Sequence, residues 1–119
     1  MSVRHFFRRP DAVGPAEAMR LVAEGALVVD VRRARDVARN RIPGARHIPL
    51  DELEQRAEEL PDDRLIITFC TGGLLSSGAA NLLAELGFEA VSMSRGLIGW
   101  RAAGGALEGG VSPEVGGAQ

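Results

Sequence analysis

Two runs of mainly apolar residues, 26–31 and 65–69, most constrain what this chain can fold into. Both are rich in Val, Ile and Leu, and each holds one polar residue instead of a regular alternation. Nearly continuous apolar runs of this length are typical of strands that a parallel sheet buries on both faces. A third strand is predicted at 89–93, and a short apolar pair stands at 47–48. Since helical segments separate these strands, the sequence predicts an α/β domain with a mainly parallel sheet.

Four helices are predicted between and after the strands. The first opens with Pro15 in its first turn and stops at Gly25, as helices commonly begin and end. The clearest is amphipathic, with an apolar stripe through Leu53, Ala57 and Leu60 and an i,i+4 pair between Glu52 and Arg56. The predicted helices cover 15–24, 50–60, 78–86 and 97–103.

The charge pattern excludes several classes of protein. The net charge is −2 and the pI is 5.7, whereas nucleic-acid binders are usually strongly basic. All 14 basic residues are arginine, which excludes Schiff-base chemistry and any phosphate loop that needs lysine. Six arginines between 32 and 46 are accompanied by Asp30 and Asp36 and lack interleaved aromatics, so they predict a solvated face. No stretch approaches the roughly 18 apolar residues of a membrane span.

Cys70 is the one cysteine of the chain. It follows the predicted strand 65–69 and precedes a short glycine-containing loop and a helix, so it lies where parallel sheets bind ligands. Unpaired N–H groups and the helix dipole favour a thiolate near a helix N-terminus, which makes Cys70 a candidate nucleophile. The alternative is a small buried apolar side chain. One cysteine forms no internal disulfide, and no signal peptide is evident, so we expect a reducing cytoplasm.

Two segments resemble the single-domain rhodanese family of sulfurtransferases. The first runs from Val28-Val29-Asp30-Val31-Arg32 to Ile42-Pro43-Gly44-Ala45-Arg46-His47-Ile48-Pro49, similar to the family's Asp-Val-Arg and Ile-Pro-Gly-Ala block. The second, residues 69–80, looks like the family's cysteine loop and following helix. Gly96 and Trp100 fit a further family segment. The resemblance covers about residues 13–104 and implies a rhodanese-like fold, a five-stranded mainly parallel sheet flanked by helices on both faces. A basic segment at 1–12 and a flexible glycine-rich tail at 105–119 complete the predicted organisation.

The resemblance also implies a chemistry and a site. Cys70 would take a sulfur atom from a small anionic donor such as thiosulfate, carry it as a persulfide, and pass it to cyanide or a thiol or protein acceptor. It implies no cofactor and no metal. Asp30 and Arg32 would form a structural ion pair near the site. Backbone N–H groups of the loop would form an anion nest, with Ser76 or Ser77 capping the helix. The predicted nest residues are Thr71, Gly72, Gly73, Leu74, Leu75 and Ser76.

The loop departs from the family where relatives carry cations. Leu75 stands at the place of a frequent arginine, and Thr71 at that of a basic residue. We therefore expect Arg41 or Arg95 to supply the charge that binds an anionic donor. Ser76 stands where cysteine phosphatases need arginine, which argues against phosphoryl chemistry.

Two functions are compatible with these residues. The first is a cytoplasmic sulfurtransferase that works through a Cys70 persulfide, with neither a membrane nor a nucleic acid as partner. The second is a rhodanese-fold interaction or sulfur-relay module with little activity on small donors. Leu74 and Leu75 favour the second, because core packing does not explain two apolar residues inside the loop.

Overall fold

The computed structural model describes residues 11–109, which form one five-stranded sheet with helices on both faces. The strands are β1 (Ala12–Val13), β2 (Leu27–Asp30), β3 (Arg46–His47), β4 (Ile66–Phe69) and β5 (Ala90–Met93). All paired strands are parallel and their order is β1-β5-β4-β2-β3. The predicted α/β class and the five-stranded parallel sheet are therefore confirmed.

The helices cover the two faces in pairs. The helices are α1 (Pro15–Ala23), α2 (Ala34–Arg39), α3 (Leu53–Arg56), α4 (Leu74–Glu85) and α5 (Gly96–Ala102). On one face α3 and α4 pack on Val29 and Ile66 and form the first core. On the other face α1 and α5 pack on Val28 and Ile67 and form the second core, which includes Trp100 and Met93. Neighbouring residues of one strand point to opposite faces, so the apolar strands fill both cores.

The strand register brings three chain segments to one edge of the sheet. Asp30 at the end of β2 pairs with Phe69 at the end of β4, and Thr68 pairs with Ser92 in β5. In a parallel sheet all carboxyl ends lie at the same edge. Cys70, Arg32 and Arg95 follow these strand ends and therefore share that edge.

The predicted helix 50–60 is wrong as a single helix. Only α3 is α-helical, and tighter 3₁₀ turns flank it at Leu50–Glu52 and Ala57–Glu59. The apolar stripe is nevertheless buried, because a segment this short is held by packing rather than by its own helix propensity. The predicted ion pair between Glu52 and Arg56 is present at 2.8 Å. Hydrogen bonds from Arg56 also hold the pKa of Glu59 below its usual value.

Two elements, β1 and α2, were not predicted. β1 has two residues and pairs only with β5, beginning at Ala12 inside the segment assigned to a basic N-terminus. α2 lies in the arginine-rich stretch and buries one residue, Val37. Elements this short carry almost no periodic signal, and tertiary contacts decide them. Residues 1–10 of the predicted basic segment lie outside the described residues.

The first residues of the predicted flexible tail make specific contacts. Ala106 accepts a hydrogen bond from Trp100 Nε1 at 2.8 Å, and Leu107 packs against the second core. Glu108 and Arg41 exchange backbone hydrogen bonds, forming an isolated β-bridge. The packed chain thus extends beyond the predicted boundary at residue 104, and residues 110–119 lie outside the described part. Within residues 11–109, no helix combines the length and apolar character that crossing a bilayer requires.

Candidate active site

Cys70 lies directly after β4 at the carboxyl edge of the sheet and is 2% exposed. Its Sγ accepts a hydrogen bond from the Gly73 N–H at 3.1 Å and another from the Ser76 N–H at 3.3 Å. An inert thiol in an apolar core needs no such donors, although Cys70 does pack against the first core. Two amides aimed at one sulfur stabilise negative charge on it.

The loop reaches this geometry through Gly73. Its φ is +97°, a left-handed conformation that glycine adopts without steric cost, and a Cβ there would lie 2.8 Å from the backbone nitrogen of Arg95. Gly72 does not serve the same purpose, because it has no positive φ and a Cβ there would meet nothing. One glycine therefore makes the curl.

α4 begins earlier than predicted, at Leu74 instead of residue 78, with Gly73 as its N-terminal flanking residue. Neither Ser76 nor Ser77 caps it. Ser76 lies inside the first turn, and its hydroxyl donates to the Gly73 carbonyl at 3.1 Å. The predicted nest thus divides into a curl, Thr71 to Gly73, and the first helical turn, Leu74 to Ser76. The dipole of α4 favours an anion beside that turn.

Two buried hydroxyls that the sequence did not single out, those of Ser92 and Thr68, hold Ser76, which in turn holds Gly73. Ser76 Oγ lies 2.8 Å from Ser92 Oγ of β5, and both residues are almost fully buried. Since Ser76 gives its one proton to Gly73, Ser92 must donate to Ser76. From β4, the Thr68 hydroxyl donates to the Ser76 carbonyl at 2.6 Å. The sequence did contain a signal for these hydroxyls, because Thr68 and Ser92 are each the one polar residue in an otherwise apolar strand.

Ser92→Ala should slow the reaction of Cys70 as well as weaken the fold. The buried Ser76 hydroxyl loses its donor, so we expect unfolding to become easier by about 1–2 kcal/mol. The Gly73 and Ser76 amides are then held less firmly at the sulfur. Alkylation of Cys70 by iodoacetamide at neutral pH, well below the unfolding temperature, should slow several-fold. Denaturant unfolding and timed mass spectrometry measure the two effects.

Ser94→Ala is the matched control, because its hydroxyl donates to the Val13 carbonyl and touches neither sulfur-binding amide. It should leave the alkylation rate unchanged. An equal rate in Ser92→Ala and wild type would show that Ser92 serves stability alone.

The N-terminal end of α5 packs against the Cys70 loop and donates hydrogen bonds to it. The Leu97 N–H donates to the Cys70 carbonyl at 2.9 Å, and the Ile98 N–H to the Thr71 carbonyl at 3.3 Å. A Cβ on Gly96 would lie 2.1 Å from the Cys70 carbonyl oxygen, so only glycine fits there. These contacts fix the backbone on which the thiol stands.

Asp30 and Arg32 form a buried ion pair behind the site. Arg32 Nη2 lies 2.8 Å from Asp30 Oδ2, and the residues are 3% and 1% exposed. The guanidinium also donates to the Asn40 carbonyl at 2.7 Å and lies 5.2 Å from the centre of the Phe69 ring. Nε2 of His47, at the end of β3, lies 2.8 Å from the Arg32 carbonyl. Asp30, Arg32 and their neighbours therefore connect the carboxyl ends of β2, β3 and β4 beside Cys70.

The two arginines predicted to bind anions differ in their surroundings. Arg41 forms an ion pair with Glu108 at 3.2 Å, in addition to the backbone bridge between them. Arg95 is exposed and has no ion pair with the residues that the structure describes. It lines an open cleft together with Gly72, Gly73, Leu74 and Ser77 of the loop. Of the two, Arg95 is the cation that borders the Cys70 loop.

Apolar side chains are exposed around the same loop. Leu74 is 84% exposed and Leu75 is 50% exposed, and Ile98, whose N–H binds the loop, is 60% exposed. The expectation that Leu74 and Leu75 lie outside the core is therefore confirmed. In the described part of the chain, no group of three His, Cys, Asp or Glu residues could hold a metal ion.

A parallel sheet of this order, with a cysteine at its carboxyl edge cradled by a loop and helix N-terminus, defines a rhodanese-type domain. The family model for rhodanese-like domains matches residues 14–103. The chain belongs to the rhodanese-like family.

Relatives in this family differ in their described roles. The chain is 35% identical over 91 residues to the thiosulfate sulfurtransferase GlpE of Ectopseudomonas mendocina, covering 76% of this chain and 84% of that protein. It is also 35% identical over 97 residues to an HTH-type transcriptional regulator of Mycobacterium tuberculosis, covering 79% of this chain but only 43% of the regulator. The crystal structure of a rhodanese-related protein from Thermoplasma volcanium superposes with a TM-score of 0.78 at 23% identity, covering 83% of this chain and 98% of that one. The last comparison bears on the fold alone.

Proposed function

We propose that this protein is a sulfurtransferase that moves sulfane sulfur from thiosulfate to cyanide or a thiol through a Cys70 persulfide. The observation that carries the proposal is the pair of amide donors on Cys70 Sγ, at 3.1 and 3.3 Å. The thiosulfate sulfurtransferase among the relatives supports the same reaction.

In the first half-reaction the Cys70 thiolate attacks the outer sulfur of thiosulfate. A new bond forms between Sγ and that sulfur, and the bond to the central sulfur of thiosulfate breaks. The electron pair of the broken bond leaves with sulfite. Negative charge moves from Sγ to the leaving group and to the terminal persulfide sulfur, all near the first turn of α4.

In the second half-reaction an acceptor attacks the terminal sulfur of the persulfide. With cyanide, a carbon–sulfur bond forms, the bond to Sγ breaks, and thiocyanate leaves while Cys70 returns to the thiolate. With a thiolate acceptor the product is an acceptor persulfide. Since Cys70 is the one cysteine of the chain, no internal thiol can take the sulfur, and the acceptor is an external molecule.

The burial of Cys70 favours small donors. At 2% exposure the residue offers only a small opening, which a compact anion such as thiosulfate passes more easily than a bulky disulfide. Free amides in the first turn of α4 and its dipole favour an anion there.

The test is intact-protein mass spectrometry of the wild type after incubation with thiosulfate, followed by cyanide. We expect the protein to gain the mass of one sulfur atom and to lose it on adding cyanide, with thiocyanate released in equal amount. A protein that stays unloaded, under conditions in which a known rhodanese loads fully, would contradict the proposal.

A second candidate function is a sulfur-relay or interaction module that accepts sulfur from a protein rather than from thiosulfate. The observation in its favour is the exposure of Leu74 and Leu75 beside the thiol, where the loop carries no cationic side chain. The regulator among the relatives shows that rhodanese-like segments also occur within larger proteins of other described roles.

Leu75→Arg discriminates the two functions. Leu75 is exposed in the first turn of α4, so an arginine there places a cation beside the sulfur without disturbing the core. If thiosulfate is a substrate, kcat/KM for it should rise by about tenfold, the value of one partly screened charge-assisted hydrogen bond. Leu86→Arg, with the same change of charge at the far end of α4, is the control. No rise in Leu75→Arg would favour the relay module.

A further inference from the structure

Arg95 occupies a backbone conformation that glycine would adopt more easily. Its φ is +65°, and it is the one non-glycine residue with positive φ among residues 11–109. The left-handed conformation is unfavourable for a residue with a Cβ. Such an outlier at the edge of a site is a reason to look for a functional role of the side chain.

The backbone of Arg95 touches the residue that binds the sulfur. Gly73 donates its N–H to Cys70 Sγ, and a Cβ on Gly73 would lie 2.8 Å from the Arg95 nitrogen. Arg95 and Gly73 also line the same cleft, whose volume is about 380 Å³. Gly73 therefore lies between the Cys70 sulfur and the backbone of Arg95.

The guanidinium of Arg95 is available for a ligand. It makes no hydrogen bond or ion pair with any residue between 11 and 109, and no acidic residue lines the cleft. The other cleft residues are small or apolar, including Gly72, Leu74 and Ser77. A planar guanidinium with parallel N–H donors suits two oxygens of a sulfonate-type group.

We propose that Arg95 is the anion-recognition residue of this site and selects donors whose sulfane sulfur is attached to an oxyanion group, of the thiosulfate or organic thiosulfonate class. In this role Arg95 supplies the positive charge that the side chains of the Cys70 loop lack. The inference rests on the proposed function for its substrate, but the binding of an oxyanion by Arg95 can be measured without turnover.

Arg95→Gly is the sharpest variant, because glycine accepts a φ of +65° without strain. We expect an unfolding temperature equal to or above that of the wild type, so a loss of binding cannot be attributed to misfolding. Arg101→Gly removes another exposed arginine, which does not line the cleft and has no ion pair in the described part. Because glycine disfavours a helix, Arg101→Ala accompanies it as a second control.

Two readouts separate this inference from the proposed function. Sulfate, an unreactive oxyanion, should slow alkylation of Cys70 relative to chloride at equal ionic strength. The concentration for half-protection should rise about three- to tenfold in Arg95→Gly, the range for an exposed and partly screened cation, and stay unchanged in both Arg101 variants. The KM for persulfide loading from thiosulfate should rise by a similar factor, with kcat nearly constant.

The outcomes are distinct. Protection that depends on Arg95 in a protein that never loads sulfur would support the anion site and refute the sulfurtransferase. Loading with the same KM in wild type and Arg95→Gly would overturn the role of Arg95 and leave the sulfurtransferase standing. Absence of sulfate protection in the wild type would also overturn it.

Discussion

Cys70→Ser is expected to reduce sulfur loading and thiocyanate formation to the uncatalysed background. A serine hydroxyl is not ionised at neutral pH and forms no persulfide, so neither half-reaction has a carrier. The Gly73 and Ser76 amides remain in place, so the variant lacks the nucleophile but keeps the donors that surround it. Mass spectrometry after thiosulfate treatment, together with a thiocyanate assay, measures the loss.

The fold of the Cys70→Ser variant provides the control. Serine is close to cysteine in size, and its Oγ can accept the same two amide hydrogen bonds, so we expect a similar unfolding temperature and circular dichroism spectrum. Loading of the variant to the extent of the wild type would mean that sulfur is held elsewhere and would remove Cys70 from the mechanism.

Asp30→Asn should produce the largest loss of stability. The substitution keeps the shape of the side chain but leaves the charge of Arg32, which is 3% exposed, without its counterion. Breaking one partner of a buried ion pair typically costs about 3–5 kcal/mol. Since the pair ties β2 to Asn40 and to the Phe69 ring next to Cys70, we also expect slower sulfur loading in the fraction that remains folded. Urea unfolding followed by circular dichroism gives the change in free energy.

Glu52→Gln is the matched control, because it removes a carboxylate from an ion pair of the same 2.8 Å length that is exposed to water. Exposed pairs contribute little, so unfolding should change only slightly. The double variant Asp30→Leu/Arg32→Met should recover part of the stability lost in Asp30→Asn, because apolar residues can replace a buried pair at small cost. Equal, small effects of Asp30→Asn and Glu52→Gln would show that burial does not strengthen the Asp30–Arg32 pair.

The elements with a clear apolar pattern were predictable and those without one were not. β2, β4 and α1 lie within about two residues of their predicted bounds, because their apolar patterns extend over four or more residues. β1 has two residues and α2 has six, too few for a periodic signal. The N-terminus of α4 was misplaced, because Leu74-Leu75-Ser76-Ser77 resembles a loop in composition, whereas the left-handed Gly73 starts the helix directly.

Within the site, the sequence predicted which residues take part, but not which hydrogen bonds they make. The place of Cys70 between a strand and a helix follows from the chain order alone. Which amides reach Sγ depends on the exact curl of the loop, and only Gly73 and Ser76 do so among the six predicted nest residues. Ser92 is 16 residues away from Ser76 in the chain, and only the packing of α4 against β5 brings the two hydroxyls together.

The sequence by itself determined the α/β class and the place of Cys70 in a loop between a strand and a helix. It also excluded reactions that need a lysine side chain, because the chain has none. These depend on residue type and local order, which the chain carries directly. The tertiary structure alone decided which of the two candidate arginines borders the Cys70 loop, since Arg41 pairs with Glu108 and Arg95 lines the cleft. It also decided how the buried hydroxyls connect. The physical reason is that strand order and register set distances between segments far apart in sequence, and no local pattern encodes them.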